Sequence, residues 1–230
     1  MHDNSKRMFE RYALPLFPAA TRVLEIGPDG VPSSYRRLVE ARLGDAAPKV
    51  WDTVDLASRP GMTFAARSEY EFPIDDGAYD LVLSGQVLEH VRKPWRWLPE
   101  LARVCRGGGT VVTFSPISWA YHEAPIDCWR AYPEGLRALY EEAGLQVLDA
   151  RWETLEPRGW LPRCPRPISD HAPGIVFKLA RAIGWPLARA YDAVTIGRKP
   201  VASARPDAGT AATDRVRAAE LSLASAPSRS

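Results

Sequence analysis

Four stretches of this 230-residue chain carry side chains able to bind a polar ligand or to move a proton. The first is Val23-Leu24-Glu25-Ile26-Gly27-Pro28-Asp29-Gly30, where a carboxylate precedes two glycines three residues apart. Glycine lets the backbone turn tightly and admits a ligand against the main chain. A dinucleotide site would need G-x-G-x-x-G, whose amides and helix N-terminus cradle a pyrophosphate. That spacing is absent, and Glu25 would repel a phosphate. An acid at this turn suits a cationic or hydroxyl-bearing ligand such as an amino-acid nucleoside; the alternative is an ordinary strand-to-helix turn. The second stretch is Val54-Asp55-Leu56. A carboxylate ending the second strand of a nucleoside-binding α/β sheet accepts both ribose hydroxyls with its two oxygens. The third is Gln86-Val87-Leu88-Glu89-His90, and the fourth holds His122, Asp127 and Arg130. Histidine and carboxylate are the groups suited to taking a proton from a hydroxyl.

These residues need a scaffold, and the hydrophobic pattern supplies one. A helix is expected over residues 5–16, with Met8, Phe9, Tyr12 and Leu16 at helical spacing. Strands are expected at 22–26, 50–54, 62–66 (weakly), 79–84, 110–114, 145–151 and 193–197. Helices are expected at 33–42, 86–91, 95–104 and 133–143. Gly44 and Gly144 stand as helix stops, Pro133 as a first-turn residue, and Gly107-Gly108-Gly109 as a turn. Strands alternating with helices of 10–12 residues imply a doubly wound, mostly parallel α/β sheet in a single domain. Such sheets bind ligands beyond the carboxyl ends of their strands.

Composition narrows the function classes. Apolar residues make up 46% and charged residues 25%, as in an average soluble domain, which excludes collagen-like and coiled-coil classes. Thirty basic against 28 acidic residues leave +2, so no global field draws nucleic acid or an anionic membrane. The N-terminus is polar and no 18-residue window is free of charge; a cytoplasmic location is expected. Three cysteines without C-x-x-C give neither a disulfide framework nor a zinc ribbon, and Cys128 reads as a small buried residue. Five of the 21 prolines fall within residues 155–173, read as an irregular insertion. Residues 201–230 contain no aromatic side chain and are expected to be a disordered tail. Domain organisation is thus an N-terminal helix (1–20), a catalytic domain (21–200) whose residues 155–192 form an insertion plus helix over one face, and the tail.

Three blocks resemble the class I S-adenosylmethionine-dependent methyltransferases, specifically the small type 11 group. They are VLEIGPDG (23–30), VDL (54–56) and FPIDDGAYDLVLSGQVLEHVRKPWRWLPELARVCRGGGTVVTFSP (72–116). The resemblance implies a seven-stranded Rossmann-like sheet whose last strand is antiparallel. It also implies S-adenosylmethionine as cofactor: Glu25 and Gly27 facing the methionine moiety, Asp55 the ribose, Ser68 and Glu69 the adenine, and Gln86 the methionine and sulfonium. The third glycine of the first motif is missing, and Ser68 stands where relatives carry an aspartate.

Gln86, Glu89 and His90, read as one helix face, resemble the E-x-x-E-H motif with which ubiquinone-pathway and small-RNA methyltransferases bind a divalent metal. Glutamine is a poor ligand for a hard cation, and no metal is expected. The segment His122–Arg130 resembles the H-x-x-P-x-D-x-x-R loop of some type 11 members. It implies His122 as general base, Asp127 as second candidate, and Arg130 as a group that orients the acceptor or pairs with Asp127. The alternative is a structural loop in which Asp127 and Arg130 form an ion pair. Trp119, Trp129, Trp152 and Trp160 are expected around the acceptor. The expected activity is methylation of a small-molecule hydroxyl in metabolite or sugar biosynthesis, with no nucleic acid or membrane partner and a homodimer left open. Its rivals are an RNA or protein methyltransferase and a non-catalytic partner subunit of the same fold.

Overall fold

The computed structural model describes residues 3–119, 121–122, 125–156 and 190–201. The expected tail and most of the proline-rich insertion, with Trp160, lie outside the described residues.

Helix α1 (Asp3–Met8) runs on through a π-type turn (Phe9–Ala13) and a 3₁₀ turn (Leu14–Ala19). The expected helix is therefore longer than its apolar stripe. The 3₁₀ turn accommodates Pro15 and Pro18, which cannot donate to a regular ladder. Next come β1 (Arg22–Ile26), α2 (Ser34–Leu43), β2 (Val50–Asp55), a two-residue β3 (Phe64–Ala65) and β4 (Tyr79–Gly85). α3 (Pro94–Val104), β5 (Cys105–Pro116), α4 (Pro133–Glu142), β6 (Gln146–Glu153) and β7 (Asp192–Arg198) complete the described elements.

The strands form one sheet in the order β3-β2-β1-β4-β5-β7-β6. β7 pairs antiparallel with both β5 and β6, and the remaining pairs are parallel. The expectation of a doubly wound sheet with an antiparallel last strand holds. Each face of the sheet has its own core. Leu24, Val82, Trp97, Leu98, Leu101 and Tyr140 fill the side covered by α3 and α4. Phe9, Phe17, Val23, Tyr35, Trp51 and Phe114 fill the side covered by α2 and the N-terminal turns.

Two local readings are corrected. The glycines at 107–109 lie inside β5, where the register against β4 slips between Tyr79 and Leu81. Gly108 takes φ +77°, and a Cβ on Gly109 would come within 2.9 Å of the Asp80 carbonyl, so the triplet forms a bulge rather than a loop. Residues 86–91 are not a helix. Gln86 adopts φ +59°, outside the helical region, and only one 3₁₀ turn, Leu88–His90, remains. Gln86, Glu89 and His90 therefore share no helix face.

Candidate functional site

The carboxyl ends of β1, β2 and β4 open on a cavity of about 390 Å³. The first turn shapes its floor. Gly27 sits at φ +61°, and a Cβ there would lie 2.6 Å from Val87, so this backbone approach needs glycine. Glu25 is buried at the end of β1. Its Oε2 accepts from the Ser33 hydroxyl and, at 2.9 Å, from the Trp51 indole. Ser33 Oγ in turn caps α2 by accepting from the Arg36 amide at 3.0 Å. Burial pushes the Glu25 carboxyl up to about 7, against the lowering effect of these two donors.

Asp55 ends β2 with its carboxylate at the cavity and paired to Arg59. Ser68 and Glu69 line the far wall. Glu69 accepts from the Tyr70 hydroxyl at 2.6 Å and from the Arg92 guanidinium at 3.0 Å. Gln86 lines the wall beyond β4; its amide donates to Ser5 Oγ at 2.8 Å and Asp192 Oδ1 at 3.2 Å. Asp192 also accepts from Asn4 at 2.7 Å. The sheet thus brings all six expected cofactor residues (Glu25, Gly27, Asp55, Ser68, Glu69 and Gln86) to one cavity.

The loop after β5 adds a second group. Asp127 is 2% exposed in its side chain and accepts two hydrogen bonds from the Arg130 guanidinium. It also accepts from the His122 backbone amide at 2.8 Å and lies 3.3 Å from His122 Nδ1. Burial would raise the Asp127 carboxyl, but the hydrogen bonds from Arg130 and His122 outweigh it and lower the carboxyl. The Asp127–Arg130 ion pair of the structural alternative is present, and the same carboxylate faces His122. A second cleft, about 250 Å³, is lined by Trp119, Tyr121, Asp127, Cys128, Trp129 and Arg130. Cys128 is exposed, contrary to expectation, because its side chain faces this cleft rather than a core. Trp152 instead meets Tyr132 edge-on and Tyr191 at a tilt, and does not line this cleft.

His122 lines neither space but lies beside one residue of each. It packs edge-on against His90 of the first cavity, with ring centroids 5.0 Å apart, and against Asp127 of the second cleft. His90 and Glu89 were set aside in the sequence as a motif lacking its first glutamate. Their nearness to His122, 32 residues on, depends on how the two loops meet: the Cys128 amide donates to the Glu89 carbonyl, and the Trp129 indole to the Val91 carbonyl.

This sheet order, with β7 antiparallel between β5 and β6, is a seven-stranded Rossmann-like arrangement. Residues 43–113 match the methyltransferase domain model of the type 11 group. An uncharacterized methyltransferase of Mycolicibacterium gilvum is 46% identical over 55 residues, which is 24% of this chain and 21% of that protein. The chain thus aligns with only about a fifth of the length of the curated relatives it matches. A solved S-adenosylmethionine-dependent methyltransferase from Archaeoglobus fulgidus superposes with a TM-score of 0.51, at 18% identity, over 85% of this chain and 92% of the other. A chain of the complex containing the Haloferax volcanii Trm112 methyltransferase activator superposes with a TM-score of 0.54, at 17% identity, over 86% and 94%. Among the described residues, no helix is long and apolar enough to cross a membrane.

Proposed function

We propose that this chain transfers a methyl group from S-adenosylmethionine to a hydroxyl of a small-molecule acceptor, in metabolite or sugar biosynthesis. The observation that carries this reading is the two-part site: a cavity with carboxylates at the ends of β1 and β2, joined through His90 and His122 to a cleft lined with tryptophans. The cavity fits the cofactor. Its floor is closed to any side chain at Gly27, and Glu25, Asp29, Asp55 and Glu69 line it with no lysine or arginine among the described lining residues, which suits a cationic, hydroxyl-bearing ligand. Asp55 holds the ribose hydroxyls, Ser68 and Glu69 face the base, and Gly27, Gln86 and the buried Glu25 shape the methionine end. When bound, the cofactor would supply a sulfonium methyl whose carbon the acceptor oxygen attacks in line, the thioether leaving with the electron pair of the broken C–S bond.

The chain's own contribution is to orient the acceptor and to take its proton. His122 accepts the hydroxyl proton as the new C–O bond forms. Asp127, held by Arg130, lies 3.3 Å from His122 Nδ1 and fixes the orientation of the ring. Trp119 and Trp129 offer stacking surfaces to a sugar or planar ring. The near-neutral charge balance favours a small acceptor over RNA. His122→Ala is expected to lower turnover by about 10²–10⁴-fold with cofactor affinity unchanged. Full activity in that variant would assign the base to another residue.

A further inference from the structure

We propose that residues 92–96, with Trp129 beside them, bind the phosphate and ring of a nucleotide-type acceptor, a small molecule in which a phosphate adjoins a planar or sugar ring. The strip borders both spaces of the site. Val91, just before it, lines the cofactor cavity, and its carbonyl accepts from the Trp129 indole at 2.8 Å. Trp129 lines the second cleft.

Charge on this side of the molecule is divided between interior and rim. Glu25, Asp29, Asp55 and Glu69 line the cavity. Arg92, Lys93 and Arg96 are exposed and line neither space. The Arg92 charge is offset by Glu69, 3.0 Å away. Arg96 lies over the Tyr70 ring, 4.7 Å from its centroid, and among the described residues no carboxylate pairs with Arg96 or Lys93. The first turn of α3 holds no acidic residue to offset them. Cations without a counter-charge attract an anion, while the acid-lined cavity next to them repels one, so an anionic group is directed to the rim.

The same strip carries aromatic surface that a merely solvated face does not need. Trp95 is 49% exposed and Trp129 37%, and their rings meet edge-on with centroids 5.9 Å apart. α3 sends Trp97, Leu98 and Leu101 into the core, whereas Trp95 is left out of it. The indole hydrogen bond of Trp129 places its ring before any ligand arrives, which lowers the ordering cost of binding. Exposed tryptophan faces stack on bases and sugar rings with little regard to base identity, and neighbouring cations take the attached phosphate. The cations are confined to this short strip of a chain whose net charge is +2, which suits a single phosphate group rather than the backbone of an RNA. That the bound molecule is the methyl acceptor rests on the methyl-transfer reading; that the strip binds a ring-bearing phosphate does not.

The test titrates the intact chain with uridine monophosphate, and separately with uridine and with inorganic phosphate, by calorimetry and tryptophan fluorescence. Each titration is run with and without saturating S-adenosylhomocysteine. Saturable binding of the nucleotide at one site per chain is expected in both conditions, tighter than either fragment and weaker as salt is raised. Trp95→Ala should weaken it roughly 5–150-fold. Lys93→Gln combined with Arg96→Gln should weaken it about 10-fold, and Lys93→Gln alone should leave S-adenosylhomocysteine affinity at the parent value. The thermal midpoints of the variants report that they fold. Absence of nucleotide binding overturns the site, as does binding that folded variants leave unchanged. Binding that S-adenosylhomocysteine abolishes also overturns it, by placing the nucleotide in the cofactor cavity. Tight binding of single-stranded RNA with none of the mononucleotide would overturn it in favour of a polyanion. Nucleotide binding by a chain that does not bind S-adenosylhomocysteine would leave the strip in place and overturn the methyltransferase reading instead.

Discussion

Asp55 leaves β2 with its carboxylate paired to Arg59, four residues on, at the edge of the cofactor cavity. Under the proposed function, a ribose would displace or share that guanidinium, which orients the carboxylate at the cavity. Removing the carboxylate would eliminate the charge-assisted bonds that this reading gives it to both ribose hydroxyls. Asp55→Ala is expected to weaken S-adenosylhomocysteine binding by about 1.5–3 kcal/mol, roughly 10–150-fold, by calorimetry. Unchanged affinity would refute the ribose role. The positions of Glu25 and Asp55 were readable because each lies near the carboxyl end of an apolar strand run, where the sheet places both at the cavity. The Glu89–His90–His122 grouping was not readable. It arises from hydrogen bonds between the turn after β4 and the loop after β5, and no local spacing encodes those.

The beginning of the sheet is tied together at a single carboxylate. Asp80, near the start of β4, accepts from the Thr21 amide at 3.0 Å, the Thr21 hydroxyl at 2.7 Å and the Arg22 amide at 2.8 Å. It also pairs with Arg106 in β5. Three neighbouring strands thus share one anchor. Burial alone would raise this carboxyl; the donors from Thr21, Arg106 and Arg22 outweigh it and hold it well below the usual carboxylate range. Such a group stabilises the fold above the ordinary aspartate pKa and loses its contribution as pH falls through its own depressed value. Asp80→Ala should lower unfolding free energy by about 1–3 kcal/mol near neutral pH, measured from the urea midpoint at constant m-value. A difference within about 0.5 kcal/mol, the range of an uninvolved surface position, would show that the anchor carries no weight.

Strands at this scale were legible from their apolar runs, and α2 and α4 from Gly44, Pro133 and Gly144, which the structure places at the helix ends. The helix expected at 86–91 was lost to a long-range contact. Gln86 takes a left-handed backbone conformation while its amide bonds to Ser5 and Asp192, more than 80 residues away in each direction. The bulge at 107–109 was likewise hidden, since it reflects the register between β4 and β5 rather than a turn signal.

The two cores on either side of the sheet hold the molecule together, while the polar site is confined to one end of the strands. Glu25 is the point where stability and site meet. It joins the cofactor turn to the helix cap at Ser33 and to Trp51 of the core, and burial keeps its carboxyl at about 7 rather than the ordinary 4.5. The folded chain therefore holds a proton that the unfolded chain releases between those values. Its stabilising share is complete below pH 4.5 and is lost as pH rises through 7. Glu25→Gln removes this ionisation and keeps an acceptor for Ser33 and Trp51. The variant's stability relative to the parent should rise by on the order of 2–3 kcal/mol between the acidic and neutral limits, by denaturant unfolding across that range. Parallel curves for the two proteins would contradict the assignment.

Binding of S-adenosylmethionine in the cavity at the ends of β1, β2 and β4 is tested most directly by calorimetric titration of the intact chain with S-adenosylhomocysteine, with NAD as the competing dinucleotide. The acids at Glu25, Asp55 and Glu69 and the missing third glycine predict saturable binding of S-adenosylhomocysteine at one site per chain and no measurable heat from NAD. Tight binding of NAD with none of S-adenosylhomocysteine would contradict the account.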